Sequence, residues 1–306
     1  MTAPGFRTEL LVGGRTIDLS RPALMGVVNA NPDSFSDPGA RPALDGQLAH
    51  VGELVDAGAT IIDIGGQSGI TGVAETDPTI ERDLVAPLVA AVRHAHPDVD
   101  ISVDTYKPLV AAAALDAGAT IVNDVSGLLD PDLATIAGRY GAALVVMHTR
   151  ARPKQRLADP ATYADVVADV RAFLDQRVDQ AIALGVDERS IVVDPGPDFA
   201  KTPHQTVEVL RHLAAVNPTG RPMLLAISRK DFIGAITSTP PGERLAGTLA
   251  AVAAVGTGSG VILRVHDVAE VARFLAVLRV LAGTDDIAAD LTLSDDLRWS
   301  AGRPPT

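Results

Sequence analysis

The chain of 306 residues contains no cysteine. This absence excludes disulfide bonds, thiolate nucleophiles and metal sites with cysteine ligands. Aromatic residues make up only 3% of the sequence whereas 47% of it is hydrophobic, so the core must be built from Ala, Val, Leu and Ile. Such residues suit buried parallel strands and the helices that cover them.

Membrane and export signals are also missing. No apolar run is long enough to cross a bilayer, and the N-terminus lacks the basic-then-apolar pattern of a signal peptide. The formal net charge of −12 argues against nucleic acid or an acidic membrane surface as a partner. We therefore expect a cytoplasmic protein whose partners include no nucleic acid and no membrane. An anionic substrate stays compatible, because a local cluster of basic side chains can dominate its own pocket.

Eight short apolar runs alternate with helical patterns. Each run is continuous, as expected for a strand buried on both faces. The candidate strands are 23–28, 60–64, 101–103, 120–122, 142–147, 190–193, 223–227 and 260–263. The clearest amphipathic stretches between them are 45–57, 108–117, 161–184 and 244–255. Eight strand-and-helix units predict an α/β fold, a (β/α)8 TIM barrel, with a doubly wound sheet as the alternative.

The remaining segments fit around one barrel domain. Residues 10–19 predict an N-terminal β-hairpin that turns at Gly13 and Gly14 and could cap the bottom of the barrel. The echo between DAGATIIDIGG (56–66) and DAGATIVNDVSG (116–127) indicates repeated units in which a glycine ends each helix. We expect a single domain over 1–283 and a peripheral tail over 284–306, which is acidic at first.

Every candidate strand is followed by polar residues at or just beyond its C-terminal end. In a barrel these ends meet at one mouth, where active sites form. The residues are Asn29, Asp63, Asp104, Asn123, Asp124, His148, Asp194, Ser228, Arg229, Lys230, Arg264, His266 and Asp267. Some have plainer explanations, since Asp124, Ser126 and Asp267 can serve as caps or turns and His148 as a packed core residue.

Familiar catalytic signatures are absent from the chain. It has no G-x-x-x-x-G-K-[ST] phosphate loop, no H-E-x-x-H metal pair and no G-x-S-x-G nucleophile elbow. What remains is a pocket with acids and amides on one side and Arg, Lys and His on the other. The first group suits a flat heterocycle with N–H donors, and the second suits an anion such as phosphate.

A series of motifs resembles the dihydropteroate synthase family. MGVVNANPDSFSD (25–37) is similar to the family's MGILNVTPDSFSDGG. It is followed, in the family's order and at its spacings, by SVDTYK (102–107), NDVSG (123–127), VVMH (145–148), DPGPDFAK (194–201), SRKDFIG (228–234), R-x-x-GTLA (244–250) and RVHDV (264–268). The resemblance spans roughly 23–283, nearly the whole chain.

The resemblance implies a transferase of folate biosynthesis. Its reaction condenses 6-hydroxymethyl-7,8-dihydropterin pyrophosphate with p-aminobenzoate, releases pyrophosphate and forms dihydropteroate. It also implies Mg²⁺ as cofactor, bridging diphosphate oxygens with Asn29 nearby, and a homodimer.

Motif position carries the family's site onto this chain. The resemblance implies catalytic roles for Asp104, Lys230, Arg264 and His266. Asp104, Asn123, Asp194 and Lys230 would line the pterin pocket, with Met147 beneath the ring. Arg264 would cover the pterin face and, with His266 and Asn29, hold the pyrophosphate. Ser228, Lys230, Phe35 and Phe199 would border the p-aminobenzoate site.

The sequence departs from the family in its second loop. The usual DIGGESTRPG is here DIGGQSGITG, so Gly69 and Ile70 stand where the family has Thr and Arg, and Thr71 stands where it has Pro. DPGIGFGK becomes DPGPDFAK, and Ala226 replaces the Gly before SRK. The changes fall mainly on the amine-acceptor side. The alternatives are therefore a pterin-binding paralogue that uses another acceptor, or a non-catalytic pterin-binding protein.

Overall fold

The computed structural model describes residues 5–30, 40–67 and 74–298, without the side chains of 40–43 and 296. Within these ranges, eight parallel strands close into a barrel and two further strands form an antiparallel hairpin. The first barrel strand pairs directly with the last, with Ile262 opposite Ala23. This closure confirms the predicted (β/α)8 barrel with its N-terminal hairpin and excludes the doubly wound sheet.

The strands follow the predicted runs with shifts of one or two residues at their ends. The hairpin consists of β1 (Glu9–Val12) and β2 (Arg15–Asp18). The barrel consists of β3 (Ala23–Asn29), β4 (Ile61–Gly65), β5 (Asp100–Asp104), β6 (Ile121–Asp124), β7 (Ala143–Met147), β8 (Ile191–Asp194), β9 (Met223–Leu225) and β10 (Val261–Val265). Strand β9 ends two residues before its predicted end, and β10 extends far enough to include Arg264.

The helices lie between successive strands. They are α1 (Ala40–Asp56), α2 (Pro78–Ala95), α3 (Pro108–Asp116), α4 (Asp132–Tyr140), α5 (Val166–Ala183), α6 (Pro203–Arg211), α7 (Leu213–Val216), α8 (Asp231–Thr237), α9 (Leu245–Val255) and α10 (Val268–Leu281). The helix predicted over 161–184 was wrong in its first turn. Tyr163 is extended there, and Asp165 caps α5 by accepting from the backbone N–H groups of Val167 and Ala168.

Two apolar layers hold the barrel together. The outer layer lies between the strands and the helices, and the inner layer fills the barrel with residues such as Met25, Ile61 and Ile121. Leu10 and Val12 of the hairpin are fully buried in the inner layer. The hairpin therefore caps the barrel interior, at the end opposite the C-terminal ends of the strands.

Glycines set the turns that the sequence predicted. Gly13 and Gly14 both have positive φ (53° and 82°) in the hairpin, as a two-residue turn with the right twist requires. Gly58 and Gly118, in the two DAGAT repeats, end α1 and α3 with φ of 105° and 110°. No helix in the described ranges is long and apolar enough to span a membrane.

Candidate active site

The mouth of the barrel gathers charged side chains from neighbouring strands. Asp63 lies on β4, Asp104 ends β5, Asn123 lies on β6 and Arg264 lies on β10. Asp104 is the register partner of Asn123 across β5 and β6. Parallel strands stand about 4.8 Å apart, so these two side chains leave the sheet side by side.

Arg264 is fixed between two carboxylates. Its Nε donates to Asp63 Oδ2 at 2.6 Å, and its Nη2 donates to Asp104 Oδ2 at 2.8 Å. Charge-assisted bonds of this kind are roughly twice as strong as neutral ones, and two of them set the plane of the guanidinium. Although burial alone would lower the pKa of Arg264, the two carboxylates raise it above its ordinary value. The arginine is therefore always charged and has one orientation.

The pKa of Asp104 is raised toward neutral pH. Its burial raises its pKa to about 7, while Arg264 opposes that rise and the charge of Asp63 adds to it. Its side chain is 25% exposed, whereas that of Asp63 is fully buried. Asp104 can therefore meet a ligand, and its charge changes near neutral pH.

Acceptor atoms are in excess below the mouth. Asp63 Oδ2 accepts from Asn123 Nδ2 at 3.2 Å as well as from Arg264. Within the described part of the chain, Asp63 Oδ1, Asn123 Oδ1 and the hydroxyl of Ser102 are buried without a hydrogen-bond partner. Buried acceptors without donors cost free energy, so this group suits a molecule that brings N–H or O–H groups.

Asp194 lies at the barrel mouth three strands round from Asp104. It ends β8 beside Met147, its register partner on β7, and its Oδ1 accepts from the Gly196 backbone N–H at 2.7 Å. Its burial raises its pKa to about 6, against the lowering effects of the Gly196 bond and the Lys230 charge. Burial thus raises the pKa of both Asp104 and Asp194 well above that of an ordinary aspartate.

The loop after β8 brings Phe199 beneath a lysine. Lys230 Nζ lies 4.4 Å from the centre of the Phe199 ring, within the range of a cation–π contact. Burial lowers the pKa of Lys230, while Asp198 and Asp194 oppose that change. A partly buried cation above an aromatic ring can border a bound aromatic molecule.

Ser228 and His266 meet between β9 and β10. The Ser228 hydroxyl accepts from the His266 backbone N–H at 3.2 Å and lies 3.1 Å from its Nδ1. Burial and the charges of Arg264 and Arg229 lower the pKa of His266, so its ring is neutral at pH 7. A neutral ring whose Nδ1 faces the serine can offer Nε2–H as a donor.

A second buried ion pair stands behind the second loop. Lys107 Nζ donates to Glu81 Oε2 at 2.5 Å, to the Thr76 carbonyl at 2.5 Å and to Gln67 Oε1 at 3.0 Å. The Gln67 oxygen also accepts from the Thr76 backbone N–H at 3.0 Å. Gln67 stands where the family motif has Glu, and as a neutral acceptor it joins the Lys107 ammonium to the backbone of Thr76.

Of the polar residues that could be simple caps, turns or core residues, only some have that role. Asp124 is wholly structural, because its carboxylate accepts from Ser126 N, Ser126 Oγ and Leu128 N. Asp267 makes no capping bond at the start of α10; it forms a two-bond ion pair with Arg229. His148 is fully buried, as expected of a core residue, but it belongs to a polar chain described below.

Several predicted site residues lie at or near the C-terminal ends of barrel strands, and others lie outside the described ranges. Asn29 ends β3 at the mouth with an exposed side chain. Phe35, Gly69 and Ile70 fall within 31–39 and 68–73, outside the described residues.

The sequence places Asp63 at the barrel mouth but gives it no specific role in the site. The pattern that indicates such a role is a carboxylate inside the otherwise apolar run IIDIG, two residues before the end of β4. A charge at such a position is buried and needs a partner, which Arg264 provides.

The chain matches known proteins along most of its length. The pattern of the pterin binding enzyme family matches residues 25–266. A dihydropteroate synthase of Bacillus subtilis is 41% identical over 257 residues, which cover 83% of this chain and 87% of that protein. The dihydropteroate synthase of Escherichia coli is 35% identical over 270 residues, covering 88% and 95%.

Solved structures agree with this match. The dihydropteroate synthase of Xanthomonas albilineans with 4-aminobenzoic acid has a TM-score of 0.81 at 36% identity and covers 90% of this chain and 98% of that one. The same enzyme in complex with 7,8-dihydropteroate has a TM-score of 0.78 with the same coverage. The similarity therefore includes an enzyme whose structures contain 4-aminobenzoic acid and 7,8-dihydropteroate.

Proposed function

From the premise that this chain belongs to the pterin-binding enzymes, as a member of the dihydropteroate synthases, we propose how its residues divide the reaction. The chain is a transferase that condenses 6-hydroxymethyl-7,8-dihydropterin pyrophosphate with p-aminobenzoate. The bond between the pterin methylene carbon and the diphosphate oxygen breaks, a carbon–nitrogen bond to the aryl amine forms, and the amine loses a proton. Pyrophosphate leaves with the electron pair of the broken bond.

Asp104, Asn123 and Asp194 hold the pterin, with Met147 beneath the ring. Asp194 accepts from the amidine edge of the heterocycle, since its Oδ1 is already held by Gly196 N–H and its position is fixed. The unpartnered Asn123 Oδ1 supplies a further acceptor. Buried polar groups that only the right ligand can pair reject analogues without those N–H groups.

Arg264, His266 and Asn29 hold the diphosphate. Arg264 carries a permanent charge and is oriented by two carboxylates, and His266 offers a neutral donor beside it. Both groups stabilise negative charge that grows on the leaving oxygen. Arg264 also covers the pterin face.

Mg²⁺ would bind on this side of the site mainly through the phosphate oxygens of the substrate. The described residues contain no group of three His, Asp or Glu side chains placed to hold a metal. Mg²⁺ commonly keeps several waters and takes substrate phosphate oxygens as ligands, so Asn29 would be a minor protein ligand. When bound, the ion supplies charge neutralisation for the departing diphosphate.

The observation that carries the proposal is the 2.8 Å pair between Asp104 and Arg264. This pair holds an acceptor next to a cation, which supports a pterin and a diphosphate bound side by side with the reacting carbon between them. As the C–O bond breaks, positive charge develops on the pterin methylene, and the Asp104 carboxylate stabilises it. No covalent intermediate on the enzyme is needed.

Ser228, Lys230, Phe35 and Phe199 border the p-aminobenzoate. The contact between Lys230 and Phe199 supports this side of the proposal, because it combines a cation for a carboxylate with an apolar ring face. Gly69 and Ile70 lack the hydroxyl and guanidinium of the family motif. An arginine contact to a carboxylate contributes about 1.5–3 kcal/mol, so we expect weaker acceptor binding than in relatives that have the arginine.

The test is an assay with the pterin diphosphate, Mg²⁺ and p-aminobenzoate that follows pyrophosphate and dihydropteroate together. We expect both products in equal amounts. Pyrophosphate without dihydropteroate would favour another acceptor, and pterin binding without turnover would favour a non-catalytic protein. Arg264→Ala should abolish turnover; a near-normal rate would refute the proposed anion site.

We also propose a homodimer and a single domain over 1–283 with a peripheral tail. Val277 and Leu281 support the dimer, since they lie four residues apart on α10 and are 60% and 80% exposed. A second copy of the chain could cover this apolar face. Light scattering on the intact chain gives the oligomeric state directly.

A further inference from the structure

The loop that follows β8 has an unusual backbone. Gly196, Asp198 and Ala200 all adopt positive φ, at 64°, 65° and 52°. The family motif DPGIGFGK has glycine at all three positions, whereas this chain has side chains at two of them. Residues other than glycine seldom adopt this left-handed conformation and persist there only when the surroundings hold them. Something outside the loop must therefore fix it.

Lys201 fixes the backbone of this loop. Its Nζ donates to the carbonyl oxygens of Gly196 at 3.0 Å and Phe199 at 3.2 Å, and it lies 2.7 Å from His148 Nδ1. These three partners use all three N–H groups of an ammonium. The lysine is itself buried, at 3% exposure, so it has no access to water as a substitute.

His148 is set in one tautomer by its other neighbour. Its Nε2 lies 3.1 Å from Asp169 Oδ1, and that carboxylate, paired with Arg150, can only accept. Nε2 must therefore carry the hydrogen, and Nδ1 is left with a lone pair for Lys201. Burial and the Lys201 charge lower the pKa of His148 to about 3, so the ring stays neutral.

We propose that Lys201 is a positioning residue of the synthase site: with His148 and Asp169 behind it, its ammonium holds the loop 195–200 so that Asp194 and Phe199 face the substrates. This inference rests on the proposed function. Asp194 is tied to the same loop through Gly196 N–H, and Phe199 is the ring beneath Lys230. Asp198 secures the other side of the loop by accepting from Thr206 Oγ1 and Phe232 N.

The charge of Lys201 also acts on Asp194. The charged groups that face the lysine are Asp194, Asp169, Asp198 and Lys230, together with the neutral His148. Burial lowers the pKa of Lys201 to about 7, and the three aspartates oppose that change. Lys201 in turn lowers the pKa of Asp194, against the larger effect of burial. Removing the ammonium should therefore raise the pKa of Asp194 further.

The test compares Lys201→Met with Arg189→Met in the full chain. Arg189 is exposed and pairs only with Asp187 among the described residues. Its replacement by Met removes the same charge at the other end of the barrel. We expect Lys201→Met to raise KM for the pterin diphosphate about 10- to 100-fold, as supporting residues commonly do, with a smaller fall in kcat. The acid limb of the pH profile for pterin binding should move to higher pH.

Two results would overturn the inference. One is a Lys201→Met variant whose KM and acid limb both match those of wild type. The other is an equal rise in KM with Arg189→Met, which would make the effect one of net charge. Failure of the wild-type chain to bind or turn over the pterin diphosphate would instead refute the proposed function.

A second pair of variants decides the question if Lys201→Met does not fold. Asp169→Ala removes the acceptor that orients His148 while leaving the lysine in place, and Asp175→Ala changes an exposed aspartate of the same helix. We expect Asp169→Ala to raise KM in the same direction by a smaller factor and Asp175→Ala to leave it unchanged. Equal behaviour of the two variants would contradict the role of the chain from Asp169 to Lys201.

Discussion

Asp63→Asn is the perturbation that separates charge from shape at the barrel mouth. The substitution keeps the size of the side chain and an oxygen that can accept from Arg264 Nε, now 2.6 Å from Asp63 Oδ2. It removes a negative charge from a fully buried position. A bond between charged groups contributes about 1.5–3 kcal/mol and a neutral one about 0.5–1.5, so the variant should lose about 1–1.5 kcal/mol of stability. For a chain of 306 residues, that loss lowers Tm by about 2 °C.

The effect on Asp104 is the sharper consequence. The pKa of Asp104 is raised to about 7, chiefly by burial, and the charge of Asp63 contributes to the rise. Without that charge, and with Arg264 free to pair with Asp104 alone, the pKa of Asp104 should fall. The carboxylate is the active form, because it stabilises the developing cation. The acid limb of kcat/KM should therefore move to lower pH.

The assay is a pH profile of kcat/KM for the pterin diphosphate in wild type and variant. Asp194, with a pKa of about 6, contributes a second and lower step that the substitution should leave in place. Asp187→Asn, at an exposed aspartate far from the mouth, is the matched control and should leave the profile unchanged. A limb that stays in place or moves to higher pH in Asp63→Asn would refute the coupling.

Asp104 binds more protons folded than unfolded between pH 4 and 7, because its folded pKa is raised to about 7, so its contribution to stability declines as pH rises through that window. Urea denaturation across that window should show a shallower decline in Asp104→Asn, and an unchanged slope would contradict the shift. Ala200→Gly should stabilise the protein by about 0.5–1 kcal/mol, because left-handed backbone costs alanine about 1–2 kcal/mol and glycine's extra freedom when unfolded returns about 0.4–1. A lower urea midpoint would show that the loop imposes no strain at Ala200. Leu281→Glu should halve the mass seen in light scattering if α10 forms the dimer contact, whereas an unchanged mass would exclude that face.

The fold was predictable because its signals are local and repeated. Eight continuous apolar runs, with polar residues after each, predict strands that close and converge. The hairpin was equally clear from Gly13 and Gly14. The helix over 161–184 was the main error, because the apolar spacing does not show that Asp165 starts a new helix by capping it.

The sequence predicts candidate site residues where a polar residue ends a strand, and it assigns no role to the residues that hold them in place. Asp104, Asn123, Asp194 and Arg264 stand at strand ends and fit a family motif. Asp63 and Lys201 act through contacts with residues far away in the chain, such as the bond from Arg264 across 201 positions. The partners in such pairings depend on the closure of the barrel, so the local sequence shows Asp63 as a charge in an apolar run and Lys201 as part of a motif but not what either residue contacts.

The most direct test of the account is a crystal structure of this chain with 6-hydroxymethyl-7,8-dihydropterin pyrophosphate bound. We expect the ring to lie on Met147 with its amidine edge at hydrogen-bond distance from Asp194, and the phosphates to lie within reach of Arg264 and His266. A pterin ring away from Asp194, or a diphosphate bound elsewhere than at Arg264, would contradict the assignment of the site.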